Sequence, residues 1–187
     1  MKILKGLLFL LVGIVVLALV VALFVKKEYA IEREIVIEKP RQTVYDYIKF
    51  LKNQDQFSVW ANMDPAMKKE YRGTDGAVGF VSAWESKNSN VGKGEQEIRK
   101  LQNGFRIDTE LRFVKPLEST SYSYMTTEDY QDIYTKVKWN FTGKMNYPLN
   151  LMILVMNMDQ TIGNQLQAGL DNLKVILENK EQGALPY

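Results

Sequence analysis

The chain of 187 residues contains neither cysteine nor histidine. Disulfides, thiolate chemistry, Cys/His zinc sites, histidine acid–base catalysis and every triad built on histidine are therefore excluded. Carboxylates, tyrosines and lysines remain as the groups able to do chemistry, and their spacing gives little support to catalysis. Glu95, Glu97, Asp108 and Glu110 share one phase of alternating segments whose other phase is apolar. That places them on a solvated face. No pair of carboxylates occurs on the apolar phase, where acid–base work in a cavity would need one. Gly73, Gly76 and Gly79 are spaced G-x-x-G-x-x-G, which is not a dinucleotide fingerprint, and no βαβ pattern surrounds them. Gly92-Lys93-Gly94 opens a strand and does not form a phosphate loop. Asp159 is expected to cap a helix. No cofactor or metal signature is present, and an enzyme is the less favoured reading.

The residues that stand out are apolar. Trp60, Trp84 and Trp139 either pack in a core or line a cavity. A buried indole N–H needs a partner, which a ligand or a water supplies in the second case. Gln96 and Thr109 share an inward phase with Ile98, Ile107 and Leu111. A polar group buried among aliphatics costs about 1–3 kcal/mol unless hydrogen-bonded. Each must therefore pair with backbone or water, or orient the polar end of a ligand. Leu149 to Met158 is the most apolar stretch beyond the N-terminal run. It reads as the first turns of the last helix packed on a sheet, or as a Met-rich lip that adapts to a ligand or touches a bilayer.

The elements that must position these residues are legible from periodicity. Ile31, Arg33, Ile35 and Ile37 alternate with Glu32, Glu34, Val36 and Glu38, which predicts a strand ended by Pro40. Thr43-x-x-Asp46 is expected to cap a helix carrying Val44, Ile48 and Leu51 on one stripe. A second short helical piece runs from Asp55 through Trp60 to Asp64-Pro65. Strands are predicted over residues 68–72, 80–85, 94–101, 105–113, 119–127 and 134–143. Asn103-Gly104 marks a hairpin, because both residue types tolerate positive φ, and Glu128-Asp129 with Gln131-Asp132 marks another turn. From Met158 the apolar positions Ile162, Leu166, Leu170, Leu173 and Leu177 recur at three and four, a single helical stripe. Gly183 and Pro186 mark its frayed end. Strand, helices, six strands and a long helix describe an α+β domain with an antiparallel sheet covered on one face.

Gly6 to Val25 is an unbroken apolar run of 20 residues, about 30 Å as a helix and long enough to cross a bilayer. A cleaved signal and a buried core helix are the competing readings. Against the first, the run is long and Ala18 and Ala22 make no A-x-A pattern; against the second, it has no polar face. Lys2 and Lys5 lie on one side, Lys26 and Lys27 on the other, so the positive-inside count barely separates the two topologies. The short leading tail favours an exported domain. Four of the 24 Lys and Arg lie at or before Lys27, and none of the 22 acids, so the rest of the chain carries about −2. A basic excess for nucleic acid or anionic lipid is thus absent. The expected organisation is a single-pass anchor over residues 1–27 and one domain over 28–187.

An ordered series of residues runs through that domain: Ile35-Val36-Ile37-x-x-Pro40, Val44-x-x-Tyr47-Ile48, Trp60-x-x-x-Asp64-Pro65, Gly79-x-x-x-x-Trp84, Val91-Gly92-x-Gly94, Val137-x-Trp139-x-Phe141-x-Gly143, and Met158-Asp159 through Gly169-Leu170-x-x-Leu173-Lys174. It resembles the polyketide cyclase/dehydrase-like branch of the START/Bet v 1 superfamily over about residues 29–179. The resemblance implies a helix-grip fold, a curved seven-stranded antiparallel sheet wrapped around a long C-terminal helix, with a cavity between them. It implies binding of lipids or other apolar molecules, cyclase/dehydratase chemistry in the same cavity, or action on a protein partner; fold alone does not choose. The expected ligand-binding set is Trp60, Trp84, Ile98, Ile107, Leu111, Trp139, Phe141, Leu166 and Leu170, with Gln96 and Thr109 as the polar points. A cavity below ~300 Å³ favours the interaction module, and a strongly perturbed carboxylate or tyrosine inside it favours the enzyme.

Overall fold

A computed structural model describes residues 2–179; Gly183 and Pro186 lie outside the described residues. The apolar run forms helix α1 (Lys2–Phe24), exposed over nearly its whole length, with only 6% of its most apolar window buried. Strand β1 (Glu28–Ile37) follows. Next come helices α2 (Arg41–Ile48), α3 (Leu51–Phe57) and α4 (Val59–Asn62), then strands β2 (Lys68–Arg72), β3 (Val81–Glu85), β4 (Lys93–Gln102), β5 (Arg106–Lys115), β6 (Ser119–Tyr130) and β7 (Tyr134–Lys144). A 3-10 turn (Leu149–Leu151), a short helix α5 (Met152–Val155) and the long helix α6 (Met158–Asn179) complete the described residues. The seven strands form one antiparallel sheet in the order β1-β7-β6-β5-β4-β3-β2.

The period-2 and period-3.6 patterns meet in the core. Helix α6 buries Met158, Leu166, Leu170, Leu173 and Leu177 against Ile31, Ile37, Val137 and Trp139 of the sheet. Helix α2 adds Val44, Tyr45 and Ile48, and Phe57 ends α3 inside the same core. Leu51, Phe80 and Ile98 form a second, smaller cluster. The outward face of β4 and β5 is polar, as the alternation predicts, but its charges are organised. Arg112 pairs with Glu95 at 2.7 Å, Glu97 at 2.8 Å and Glu110, and Arg72 of β2 also pairs with Glu95.

Local signals in the sequence misplace several boundaries. Helix α2 begins at Arg41, so Thr43 caps nothing; Asp46 instead accepts from Lys49 Nζ at 2.6 Å and Gln42 Nε2 at 3.1 Å. Leu51 opens the next helix, whose free N–H groups at Leu51 and Lys52 donate to the distant Asp75 carboxylate at 2.9 and 3.2 Å. Residues 103–105 make a three-residue hairpin loop in which only Gly104 takes positive φ (+68°). Strand β6 continues through Glu128 and Asp129 to Tyr130, and the turn falls at Gln131 (φ +56°). Leu149 to Val155 does not begin the last helix. Met156 is extended, and Asn157 starts α6 by accepting from Gln160 N at 3.0 Å. Asp159 is therefore not the cap. It sits in the first turn and binds Arg33 of β1, whose guanidinium donates to its carboxylate at 2.8 Å and its carbonyl at 3.0 Å.

Candidate functional site

Between the inner face of the sheet, α6 and the α3–α4 segment lies a cavity of about 280 Å³. Its wall is mostly aromatic and aliphatic: Trp60, Trp84, Phe113, Trp139 and Phe141, with Leu51, Leu111, Ile162 and Leu166. Two glycines make this wall possible. A Cβ on Gly94 would fall 2.7 Å from the Trp84 ring and 2.6 Å from the Arg112 carbonyl, so only glycine lets that indole lie across β4. A Cβ on Gly169 of α6 would fall 2.7 Å from the Trp139 ring. The indoles then set one another's angles. Trp139 meets Phe57 and Trp60 edge-on at 5.6 and 6.4 Å, and Trp84 meets Phe113 at 5.8 Å, geometries favoured by aromatic quadrupoles.

The polar groups on the wall are tied together. Gln96 Nε2 donates to Thr109 Oγ1 at 3.1 Å and to Gln54 Oε1 at 3.3 Å. The Thr109 hydroxyl donates to the Ser123 carbonyl at 3.3 Å. Trp139 Nε1 donates to Ser123 Oγ at 3.2 Å, and that hydroxyl donates to the Asn140 carbonyl at 2.6 Å. Trp84 Nε1 donates to the Val91 carbonyl at 3.2 Å. The half-buried Trp60 indole N–H has no hydrogen-bond partner among the described residues.

One end of the wall carries charge. Asp55 of α3 accepts from Lys69 Nζ of β2 at 3.0 Å and from the Tyr71 hydroxyl. Asp55 and Lys69 line the cavity, with the exposed Lys69 and Asn90 at its mouth. Burial first, and then the bond to Asp55 and its negative charge, push the Tyr71 phenol above the usual tyrosine range. Tyr71 thus keeps its proton, and Asp55 is the single carboxylate among the lining residues. Sequence reasoning missed this trio. Strand β2 reads Lys-Lys-Glu-Tyr-Arg, with no aliphatic residue to mark its inward phase. The one available signal was Lys69 and Tyr71 at i, i+2.

Of the residues expected to line the cavity, the structure brings together Trp60, Trp84, Gln96, Leu111, Trp139, Phe141 and Leu166. It places four others elsewhere. Ile107 and Leu170 belong to the main core, and Ile98 packs with Leu51 and Phe80. Thr109 lies one layer behind Gln96, as its hydrogen-bond acceptor. The cause is geometric: an inward phase runs the full length of a strand, whereas the cavity occupies only part of it, and the rest is covered directly by helix. Gln54, Asp55, Ala61 and Met67 complete the wall from segments whose phase the sequence leaves unmarked.

No protein-family model matches the chain, and no curated protein matches it in sequence. Solved structures do match in shape. A protein of unknown function from Staphylococcus aureus superposes with a TM-score of 0.62 at 10% identity, covering 83% of this chain and 97% of that one. A norcoclaurine synthase from Thalictrum flavum, determined with a transition-state analogue, gives 0.60 at 10% identity, covering 82% and 96%. The protein Ara h 8 gives 0.56 at 13% identity, covering 81% and 99%. At such identities the likeness is one of fold. Strand order, gripped helix and these superpositions together give the chain a Bet v 1-like helix-grip fold.

Proposed function

We propose that the chain is a membrane-anchored protein that encloses a small apolar molecule, or the apolar part of a lipid, in the cavity between sheet and α6. The observation that carries this reading is the cavity wall: three tryptophans, two phenylalanines and the aliphatic side chains of Leu51, Leu111, Ile162 and Leu166 around a few tied polar groups. Apolar walls with few convergent polar points are the usual chemistry of small-molecule sites. At about 280 Å³ the volume falls just under the ~300 Å³ that would separate a carrier from an interaction module. The volume by itself favours the interaction module; the apolar lining is what supports the carrier, whose guest must then be small. Within the fold we place the chain nearest the cyclase/dehydrase-like branch, on the residue series given above.

Anchoring is the second half of the reading, with residues 1–27 as the anchor and 28–187 as the domain. It is supported by the exposure of α1 and by Asn150, which is fully buried and donates to the Ala22 and Val25 carbonyls at 2.7 and 3.0 Å. Cleavage as a signal would strip Asn150 of both acceptors, which favours a retained helix.

An enzyme using the same cavity is the alternative, and Asp55 is the observation that favours it. Its charge is already spent on Lys69 and Tyr71, and the shift at Tyr71 runs against a base. The test is titration with a fluorescent hydrophobic probe, read by quenching of tryptophan emission. Saturable quenching is expected, and Ala61→Phe, which fills the chamber from half-buried α4, is expected to weaken it while the protein stays folded. Absence of saturable quenching in the wild-type protein contradicts the carrier reading.

A further inference from the structure

The connection between β7 and α6 is too apolar for its place. Leu154 and Val155 are 65% and 84% exposed, and Leu149, Met152 and Met156 are exposed beside them. Their segment is a 3-10 turn followed by a single helical turn, and it packs on the end of α1. The attachment is polar and specific. The carbonyls of the last turn of a helix have no intrahelical partner, and inside hydrocarbon each would be costly to leave unpaired. Asn150 Nδ2 supplies the missing donor to Ala22 O and Val25 O, from a position with no exposure to solvent.

The depth of the segment follows from α1 itself. Between residues 3 and 25 only Ala18, Leu19, Ala22 and Val25 are not exposed. They form one stripe over the last two turns, about 10 Å of helix at ~1.5 Å per residue. Ala18 and Ala22 are spaced small-x-x-x-small, which lets another backbone approach closely. The covering segment therefore lies beside the final part of the apolar run, below Lys26 and Lys27. Those lysines, with exposed Tyr147 just before the segment, are the residue types that sit at the headgroup level.

We infer that residues 149–156 form a second, non-spanning membrane element, bracketed to the anchor by Asn150, that seats Leu149, Met152, Leu154 and Val155 in the outer part of the bilayer on the domain's side. The inference rests on the reading of α1 as a spanning anchor. The occupant of this patch is lipid, because the patch is continuous with the lipid-facing surface of α1. Interfacial elements bury their apolar side about 5–10 Å into the boundary of headgroups and acyl chains, which matches the overlap with α1. The domain is then held at a fixed attitude to the bilayer, and the short tether does not leave it to swing freely.

The chain has no native cysteine, so single cysteines report without interference. The experiment uses the full chain in vesicles of palmitoyl-oleoyl-phosphatidylcholine. A polarity-sensitive fluorophore is attached to Leu154→Cys or Val155→Cys, both exposed and free of core packing. Leu11→Cys serves as the mid-anchor reference, and Asp132→Cys, in the β6–β7 turn at the opposite end of the sheet, as the aqueous one. Labels on Leu154→Cys and Val155→Cys are expected to emit to the blue of the label on Asp132→Cys. They are also expected to lose most of their emission to lipids carrying a nitroxide near the headgroup. If Leu11→Cys is quenched by lipid nitroxides while both patch labels read as aqueous, the inference falls and the anchor stands. Blue emission without lipid quenching means that a protein or a second copy covers the patch, which also overturns it. A label on Leu11→Cys that reads as aqueous overturns the anchor and the inference together.

Discussion

Charge and hydrogen bonding are most exposed to test at single residues. Glu95 is held below the usual glutamate range, mainly by its hydrogen bonds to Arg112 and then Arg72. A carboxylate lowered by folding stabilises the protein above its unfolded value, and that contribution is lost as pH falls through the folded value. Urea midpoints are therefore expected to fall on acidification from about pH 5 to pH 3, a window set by the ordinary glutamate value. In Glu95→Gln that fall is expected to be shallower; an unchanged acid limb contradicts the pairing. Tyr71 works in the opposite sense. Its raised value supplies stability below the ordinary tyrosine range that is lost as pH rises beyond it, and Tyr71→Phe is expected to remove one late-titrating phenol from the ultraviolet alkaline titration. Neither partnership is legible in the sequence, because each joins residues from different strands or from a strand and a helix. The outward phase of Glu95 was legible, but its two arginines were not. Asp55 was seen only as the start of a helical piece.

At the scale of elements, the phase of α6 was the most legible feature, because six apolar residues at three- and four-residue spacing overdetermine one face. Leu166→Ala and Leu170→Ala are each expected to cost about 2–5 kcal/mol of unfolding free energy. Gln167→Ala is expected to cost far less, since Gln167 lies off the buried stripe and donates to the exposed Asp171 at 3.0 Å. Equal losses at Leu166 and Gln167 in denaturant titrations would put the helix in the wrong phase. Gly169→Ala tests the close approach of helix and sheet. Helix propensity alone favours alanine by about 1 kcal/mol, but the new methyl meets the Trp139 ring, and overpacking of this kind costs about 1–3 kcal/mol. Net destabilisation is expected, with altered tryptophan emission as the ring shifts; a stabilised protein with unchanged emission contradicts the contact. Element ends were read less well than element phases. Asp75 caps α3 from 24 residues away in sequence, and Asn157 takes the capping place expected of Asp159. Local patterns carry no trace of the first, and in the second Asn157 and Asp159 stand two residues apart and are both residue types that cap helices. The apolar run at Leu149 to Met158 left two readings open, the first turns of the last helix or a Met-rich lip; the first fails because Met156 is extended, and the seating of Asn150 on α1, more than a hundred residues earlier, has no local signal.

For the whole molecule, an antiparallel sheet covered on one face by a striped helix was legible from periodicity, because alternating segments and one apolar stripe leave few other ways to bury every apolar face; the grip of seven strands around that helix was implied by the family resemblance, and the strand order comes from the structure alone. The cavity was legible only in part. Residues on the inward phase divide between cavity wall and solid core according to how the helices close over the sheet, and no periodicity encodes that. Hence Trp84, Leu111 and Phe141 reach the cavity while Ile98 and Ile107 do not. Removing the anchor probes how the parts depend on one another. A chain beginning at Glu28 keeps every strand and is expected to unfold cooperatively. Without α1, however, it exposes Asn150 and leaves the patch over residues 149–156 uncovered by lipid. It is expected to self-associate in buffer and to become monomeric with detergent in size-exclusion chromatography; a detergent-independent monomer would mean that the patch needs no cover.

The enclosed apolar guest is the central claim, and native mass spectrometry of the full-length protein released from detergent tests it most directly. The account predicts a population heavier than the bare chain by one small apolar molecule, lost in Ala61→Phe while the charge-state distribution stays that of a folded protein. Bare chain alone, after incubation with lipid extracts and hydrophobic probes, or an adduct that Ala61→Phe leaves untouched, would contradict it.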